Sequence, residues 1–349
     1  MIVAAGDVTE KNVAEWVGDG IVDVVVVLDE AVDVAAYRIG MERIAAAKLD
    51  LHYWIEVARN PRLADAHPRW MASLGSHDDW RRRFPGVAAP KKGEVAKAYP
   101  WTPIGYREAF EAHLARVKSL LAERAAGDYR TVLLNDLQAG PAACGCGNVQ
   151  CRWAIDYGVP ATATKLEGDD VAVRFLTEVA KLAKGKQVVP IWTTECEDID
   201  LPADKAKDGK TTGLCGGVGC ATGICPKAFA RQWDALLASH RGPVGLLALH
   251  GEFQRTGPNY AEPGRWVKDA VNYLDTVPAR HAAPPRQKES VLDHNRLWIV
   301  VQGYAVKSAE TRVAESAAKS SGAAVVLTAL TRLDQGYEPR VISVEDEGR

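Results

Sequence analysis

Eight short apolar runs, separated by stretches with helical periodicity, constrain the fold of this chain more than any other feature of its sequence. The runs are rich in Val, Ile and Leu and do not alternate strictly between apolar and polar residues, which is typical of strands covered on both faces. They lie at residues 2–6, 21–28, 49–57, 130–137, 187–194, 244–251, 296–304 and 323–330. We therefore predict an α/β fold with a parallel sheet.

Helical patterns fill most of the intervals between the runs. One helix face in residues 106–124 carries apolar side chains spaced by four, three and four residues: Phe110, Leu114, Val117 and Leu121. Further helices are predicted at about 8–18, 32–47, 169–185, 227–240, 265–276 and 308–320. Eight strands alternating with seven helices favour a closed (β/α)8 barrel of the TIM type, as a single domain over residues 1–349.

The lengths of the connections also favour a barrel. Most helix-to-strand connections span only a few residues, whereas four strand-to-helix connections are long: 58–105, 138–168, 195–226 and 252–264. Barrels of this kind elaborate the rim where the strands end and build their sites there. We therefore interpret residues 58–105 and 138–226 as elaborations of that rim, the second of them rich in cysteine.

Two features do not fit a regular barrel. Residues 277–295 form a long connection on the helix-to-strand side, and the tail from Asp334 shows no clear eighth helix. An open, doubly wound sheet is therefore an alternative.

The charge and hydropathy of the chain argue against several classes of partner. The formal net charge of −2 provides no basic field for nucleic acid. No apolar run approaches the roughly 20 residues of a membrane helix. The first residues, MIVAAGDVTEKN, have neither the basic nor the apolar region of a signal peptide. We therefore expect a cytoplasmic protein, or one that begins after a removed leader.

Four carboxylates lie at or just past the ends of predicted strands: Glu56, Asp136, Glu195 and Glu252. A charged group at the end of a buried strand costs free energy unless it is paired or used. One such residue alone is more often a cap or a salt-bridge partner than a catalyst. Because the strands of a barrel end at one rim, the four together indicate a site.

Paired carboxylates in different environments are what glycoside hydrolysis requires. We predict Asp136 as the nucleophile or base, on a pattern in which Leu134 and Asp136 face inward. Glu252 is the predicted acid, because His250 and Phe253 flank it and could make its surroundings less solvated. Glu195 is the rival acid, although it lies beside the cysteines.

Ten tryptophans against five phenylalanines is an unusual bias. Indole rings stack on the apolar faces of sugars, and several lie in the third strand or in the loop that follows it. The predicted substrate-binding residues are Trp54, Trp70, Trp80 and Trp101, together with Glu56 and His250. The alternative is that Trp70 and Trp80 close a small core beneath the loop.

All seven cysteines fall between residues 144 and 225: Cys144, Cys146, Cys151, Cys196, Cys215, Cys220 and Cys225. The first three follow a Cys-x-Cys-x4-Cys pattern among glycines, which lets several sulfurs face one point. Cys144, Cys146, Cys151 and Cys196 are the candidate ligands of a structural zinc ion. Three disulfides with one free thiol, or an iron–sulfur cluster, also account for the count. Disulfides would indicate an exported protein, and the other options a cytoplasmic one.

Two segments resemble known proteins. HYWIEVARNPRLADAHPRWM resembles the third-strand region of glycoside-hydrolase-like (β/α)8 proteins, and LLNDLQAGPAACGCGNVQCRW is similar to a loop of family 42 β-galactosidases. In those enzymes a Cys-x-Cys-x2-Cys run helps to hold a structural zinc, whereas four residues precede Cys151 here. Their catalytic glutamates at strands four and seven are replaced by Asp136 and Gln302, so that pair does not carry over. An aspartate at strand four is similar to the nucleophile position of the α-galactosidase and α-amylase clans.

The resemblance covers roughly residues 45–160. It implies a (β/α)8 fold and a structural zinc ion more strongly than it implies a substrate. We predict a carbohydrate-active enzyme, a glycoside hydrolase, that acts on a carbohydrate or glycoconjugate. Two alternatives stay open: an enzyme whose chemistry depends on a thiolate-bound metal or iron–sulfur centre, and a barrel that binds glycan without catalysis.

Overall fold

A closed barrel of eight parallel strands forms the centre of the computed structural model. The model describes residues 1–71, 84–125, 127–137, 166, 170–193, 226–249, 264, 267–268, 270–272, 274–275, 292–333 and 338–343. The barrel strands are β1 (Ile2–Ala4), β2 (Asp23–Val27), β3 (Asp50–Glu56), β5 (Tyr129–Asn135), β6 (Gln187–Thr193), β7 (Val244–Ala248), β8 (Leu297–Gln302) and β9 (Val325–Ala329). Seven of the predicted runs contain one strand each, and the run at 130–137 overlaps β5, which starts one residue earlier. The predicted barrel is confirmed, and the open sheet is wrong.

Helices connect the strands and cover the barrel. They are α1 (Glu10–Gly18), α2 (Val34–Ala46), α3 (Pro61–Ala66), α4 (Arg107–Glu123), α5 (Val171–Leu182), α6 (Pro226–Ser239) and α7 (Ser308–Ser320), and the described residues of 267–275 are also helical. Local sequence fixes several of their starts: the side chains of Thr9 and Asp33 accept hydrogen bonds from the first-turn amides of α1 and α2. Among the helices of the described chain, none has the length and apolar character needed to cross a membrane.

The core has two layers, one inside the barrel and one between the barrel and the helices. In β3, Trp54 belongs to the inner layer, whereas Tyr53 and Ile55 belong to the outer one. In β5, Leu133 is inside and Leu134 is outside. Successive side chains of a strand alternate between faces, so the prediction that Leu134 faces inward is wrong.

A second, two-stranded sheet was not predicted. Strand β4 (Glu94–Tyr99) lies in the loop after β3, and β10 (Glu338–Ser343) comes from the tail. They pair antiparallel, with Glu94 opposite Ser343 and Tyr99 opposite Glu338. The described part of the tail therefore forms a strand that joins the elaborated rim.

His113 of α4 is fully buried and connects this helix to the loop that follows β3. Its Nε2 lies 2.7 Å from the carbonyl oxygen of Thr102. Burial lowers the pKa of His113 from 6.5 to about 4, although the contact with that carbonyl opposes the shift.

We expect stability to fall in mild acid because of His113. Below the ordinary histidine pKa of 6.5 the unfolded chain gains a proton, whereas the folded chain gains it only near pH 4. The contribution is therefore fully present above pH 6.5 and is lost as the pH falls towards 4. Between about pH 7 and about pH 5 this loss of stability amounts to about 2 kcal/mol.

Urea unfolding at both pH values should show a smaller loss of stability for His113→Gln than for the wild type. The matched control, His67→Gln at an exposed position, should keep the wild-type loss, and equal losses in all three proteins would contradict the assignment.

Candidate active site

Glu56 is a half-buried carboxylate at the end of β3, where the barrel opens. It shares the inward face of the strand with Trp54, because the two residues are separated by two positions. The Nε1 of Trp54 donates to one carboxylate oxygen over 2.8 Å, and the Nδ2 of Asn135 donates to the other over 2.9 Å. Both donors are themselves buried. The carboxylate is therefore fixed in orientation while part of the side chain stays exposed.

A buried ion pair lies next to Glu56 along the barrel rim. Arg59 and Asp136 follow β3 and β5, and the Arg59 Nε is 3.4 Å from the Asp136 Oδ2. Their side chains are 3% and 0% exposed. Asp136 has a φ of 60°, in the left-handed region that few non-glycine residues adopt. The alternation of β5 therefore ends before this residue.

Arg59 also connects the pair to two other parts of the chain. Its Nη1 donates to the carbonyl oxygen of Leu333 over 2.5 Å, and its guanidinium lies 4.8 Å from the ring centre of Trp101. The backbone adds a further link, because the amide of Thr102 donates to the carbonyl oxygen of Ala58 over 2.7 Å. One buried cation thus joins the ends of two barrel strands, the rim loop and the segment that follows β9.

The described tryptophans are largely covered by protein. Trp54 is buried within the barrel, and Trp101 is buried against Arg59. Trp70 is partly exposed, but the ring of His67 stacks on it at 3.8 Å between centroids. Stacking of a sugar on Trp54 or Trp101 would require part of their cover to move, whereas Trp70 keeps some accessible surface. A small apolar cluster in the rim loop is built around Trp101 with Ala58, Ala96 and Ala98, and Trp70 is not part of it. The alternative that Trp70 and Trp80 close a core stays a prediction, because Trp80 lies outside the described residues.

Several predicted site residues lie outside the described residues: Glu195, Glu252, Trp80, His250 and all seven cysteines, including Cys144, Cys146, Cys151 and Cys196. The assignments of acid, substrate-binding and zinc-binding roles to them stay predictions. Within the described residues, no group of three or more His, Cys, Asp and Glu side chains could hold a metal ion.

Sequence reasoning missed two residues that organise this site. Asn135 is not among the predicted site residues, yet Leu133 points into the barrel, and Asn135 is two positions further along β5 and therefore on the same face. Arg59 carried one available signal: it is a basic residue directly after a long apolar strand, which is costly unless it finds a partner. On the other side of the barrel, Gln302 ends β8 and donates its Nε2 to the carbonyl oxygen of Tyr304 over 2.9 Å.

The fold and the site together define an α/β barrel protein with an oriented carboxylate at its carboxyl-terminal mouth. The sequence matches no protein-family model and no curated protein. Among solved structures, the chain is similar to a chitinase from Chromobacterium violaceum ATCC 12472, at 10% identity and a TM-score of 0.35, over 87% of this chain and 68% of that one. It is also similar to the GH20 catalytic modules of the pneumococcal exo-β-D-N-acetylglucosaminidase StrH, at 12% identity and a TM-score of 0.35, over 92% of this chain and 83% of that one. At this level of similarity, the function has to be argued from this chain's own residues.

Proposed function

We propose that the protein is a carbohydrate-active enzyme, a glycoside hydrolase whose site lies at the carboxyl-terminal mouth of the barrel. One observation carries the proposal: two carboxylates in different environments end neighbouring strands. Glu56 is paired in register with Asn135, and Asp136 is the next residue. Glu56 is half-buried with two neutral donors, whereas Asp136 is fully buried beside a guanidinium. Glycoside hydrolysis depends on such a difference between two acids.

Of the described carboxylates at the mouth, Glu56 has the geometry that suits direct contact with a substrate. It is oriented on both oxygens and retains exposed surface. The ion pair with Arg59 suits the ionised role predicted for Asp136, but a substrate could reach that carboxylate only if its cover moved. We propose Glu56 as the described partner of Asp136 in this pair; the predicted acids Glu252 and Glu195 lie outside the described residues. Asp136 can act as nucleophile or base only if its cover moves to admit a substrate.

A barrel that binds glycan without turnover is the second candidate. The burial of Asp136 in an ion pair favours it, because a carboxylate engaged in holding the fold together is not free to attack a substrate. In that case Glu56 would accept hydrogen bonds from sugar hydroxyl groups and no bond would break.

The direct test is an activity screen of the purified protein. We expect release of nitrophenol from aryl glycosides, or of new reducing ends from oligosaccharides, at a rate above that of the buffer. The panel should contain both α- and β-linked sugars, and calorimetry on the same sugars should measure binding. Binding without release would favour the second candidate. Neither binding nor release across the panel would overturn the carbohydrate proposal.

A further inference from the structure

The helical layer around the barrel is incomplete at one place in the described chain. Helices α1 and α7 flank the seam where β1 meets β9. A regular (β/α)8 barrel places an eighth helix over that seam. Here the described residues after β9 lead to β10, which pairs with β4 in the rim elaboration. The position of the eighth helix is therefore open among the described residues.

An open groove of about 730 Å³ lies at this position. Its floor is the outer side of β9 and the residues that flank it, with Val326, Thr328 and Leu330 among the lining side chains. All three are at least partly exposed, and Leu330 is 43% exposed. In contrast, every residue of β7 is buried. The outer face of β9 thus lacks the cover that β7 has.

The two walls of the groove differ in charge. The α1 wall presents the acidic Glu15 and Asp19. The α7 wall presents the basic Arg312 and Lys319. Glu315 lies between these two bases, and the hydroxyl of Thr328 donates to its carboxylate over 2.5 Å. Lys11 is 3.8 Å from Glu15, but both side chains are well exposed, and such pairs are weak.

The seam beneath the groove is narrow. One residue pair, Ile2 with Ala329, sets the register of β1 with β9, and the amide of Leu330 adds a hydrogen bond of 2.8 Å to the carbonyl oxygen of Ile2. By comparison, five residue pairs set the register of β8 with β9: Trp298 with Val325, Ile299 with Val326, Val300 with Leu327, Val301 with Thr328, and Gln302 with Ala329. A ligand bound in the groove would therefore cover the pairing of β1 with β9, which has the fewest residues in register among the barrel strands.

We propose that this groove binds an amphipathic helix of a partner protein. The apolar stripe of that helix lies on Val326 and Leu330, its basic flank faces α1, and its acidic flank faces α7. The fold sets the shape of the occupant, because the groove lies where a barrel helix belongs. The opposite charges of the two walls determine which way the helix runs and require one basic and one acidic flank. This inference is independent of the proposed carbohydrate chemistry.

The test uses two synthetic peptides of about 18 residues, because helices shorter than about 12–15 residues are marginal in water. Both carry the same apolar stripe; one has lysines on one flank and glutamates on the other, to match the two walls of the groove, and the other has neutral glutamines on both flanks. Fluorescence anisotropy at low and high salt measures binding to the full chain. We expect the matched peptide to bind at least about tenfold more tightly than the glutamine-flanked one, with the difference reduced by salt. Hydrogen exchange at the Leu330 amide should slow when it binds.

Two variants locate the binding. Leu330→Asp should weaken the matched peptide at least about tenfold, because it places a charge on the apolar floor. Ile39→Asp is the matched control, since Ile39 is 47% exposed and does not line the groove; it should leave binding unchanged. Asp19→Lys should weaken the matched peptide and leave the glutamine-flanked peptide nearly unchanged, because it removes acidic charge from the wall that faces the lysine flank. The proposal is overturned if neither peptide binds, if both bind equally, or if Leu330→Asp has no effect. Self-association of the chain that Leu330→Asp abolishes would also overturn it, because the occupant would then be a second copy.

Discussion

Asp136→Asn is expected to lower the free energy of unfolding by about 3–5 kcal/mol, because it leaves the Arg59 guanidinium buried without its anionic partner. The geometry supports this size of effect: the two side chains are 3% and 0% exposed, and their closest atoms are 3.4 Å apart. Urea denaturation of the wild type and the variant measures the difference. The matched control is Asp65→Asn, which removes an exposed ion pair with Arg340 at 2.8 Å. It should cost less than about 1 kcal/mol, and equal losses in the two variants would contradict the structural role of Asp136.

A double variant separates the structural role of Asp136 from a catalytic one. Apolar replacement of both members of a buried ion pair is often neutral for stability. Arg59→Met with Asp136→Leu should therefore recover part of the stability lost in Asp136→Asn, less about 1–2 kcal/mol for placing leucine in the left-handed conformation of this residue. If Asp136 is the nucleophile or base, this folded double variant will have no activity. If it keeps wild-type activity, the catalytic assignment of Asp136 is wrong and the ion pair is structural.

Glu56→Gln is expected to lower kcat/KM by about 10²- to 10⁴-fold, the range that a positioned acid or base contributes. The replacement keeps the size of the side chain but removes its charge. It also places an amide where Trp54 or Asn135 donates a hydrogen bond. Steady-state kinetics on a substrate found in the activity screen would measure the loss. Circular dichroism and the unfolding midpoint would show whether the fold is retained.

The control for Glu56 is a carboxylate at the opposite end of the same barrel. Asp23 begins β2, and its Oδ1 lies 3.0 Å from the Nε2 of His52. Asp23→Asn should leave kcat/KM within about twofold of the wild type, because the amino-terminal end of a barrel serves stability and not catalysis. Wild-type activity in Glu56→Gln would remove Glu56 from the site, and an equal loss in Asp23→Asn would indicate a general effect on the fold.

The sequence predicted the barrel well because burial on both faces leaves strands as apolar runs. The same burial hides the direction of each side chain. Leu133 and Leu134 are both apolar and both fully buried, so their letters do not reveal that the first lies inside the barrel and the second outside. For this reason the sequence predicted Leu134 on the inward face, whereas the residue of β5 that faces the site is Asn135.

The small sheet was beyond sequence reasoning for a different reason. Strand β4 contains Lys97, which reads as an exposed residue but is fully buried. Its Nζ donates to the carbonyl oxygens of Arg69 and Met71 over 2.9 and 3.0 Å. Those acceptors come from a preceding part of the loop, and the pairing strand comes from the far end of the chain. Neither the acceptors of Lys97 nor the strand that pairs with β4 can be recognised from the residues around β4.

The hydrogen bond from Arg59 to Leu333 joins residues 274 positions apart. During synthesis, the ribosome must release all eight barrel strands before Arg59 can meet this acceptor and before β4 can gain its partner strand. Until then the guanidinium of Arg59 and the edge of β4 lack part of their final contacts. The nascent chain therefore passes through a stage in which the barrel strands are synthesised but the contacts of Arg59 and β4 at the rim are not yet formed. We expect binding of a chaperone to be most useful at that stage.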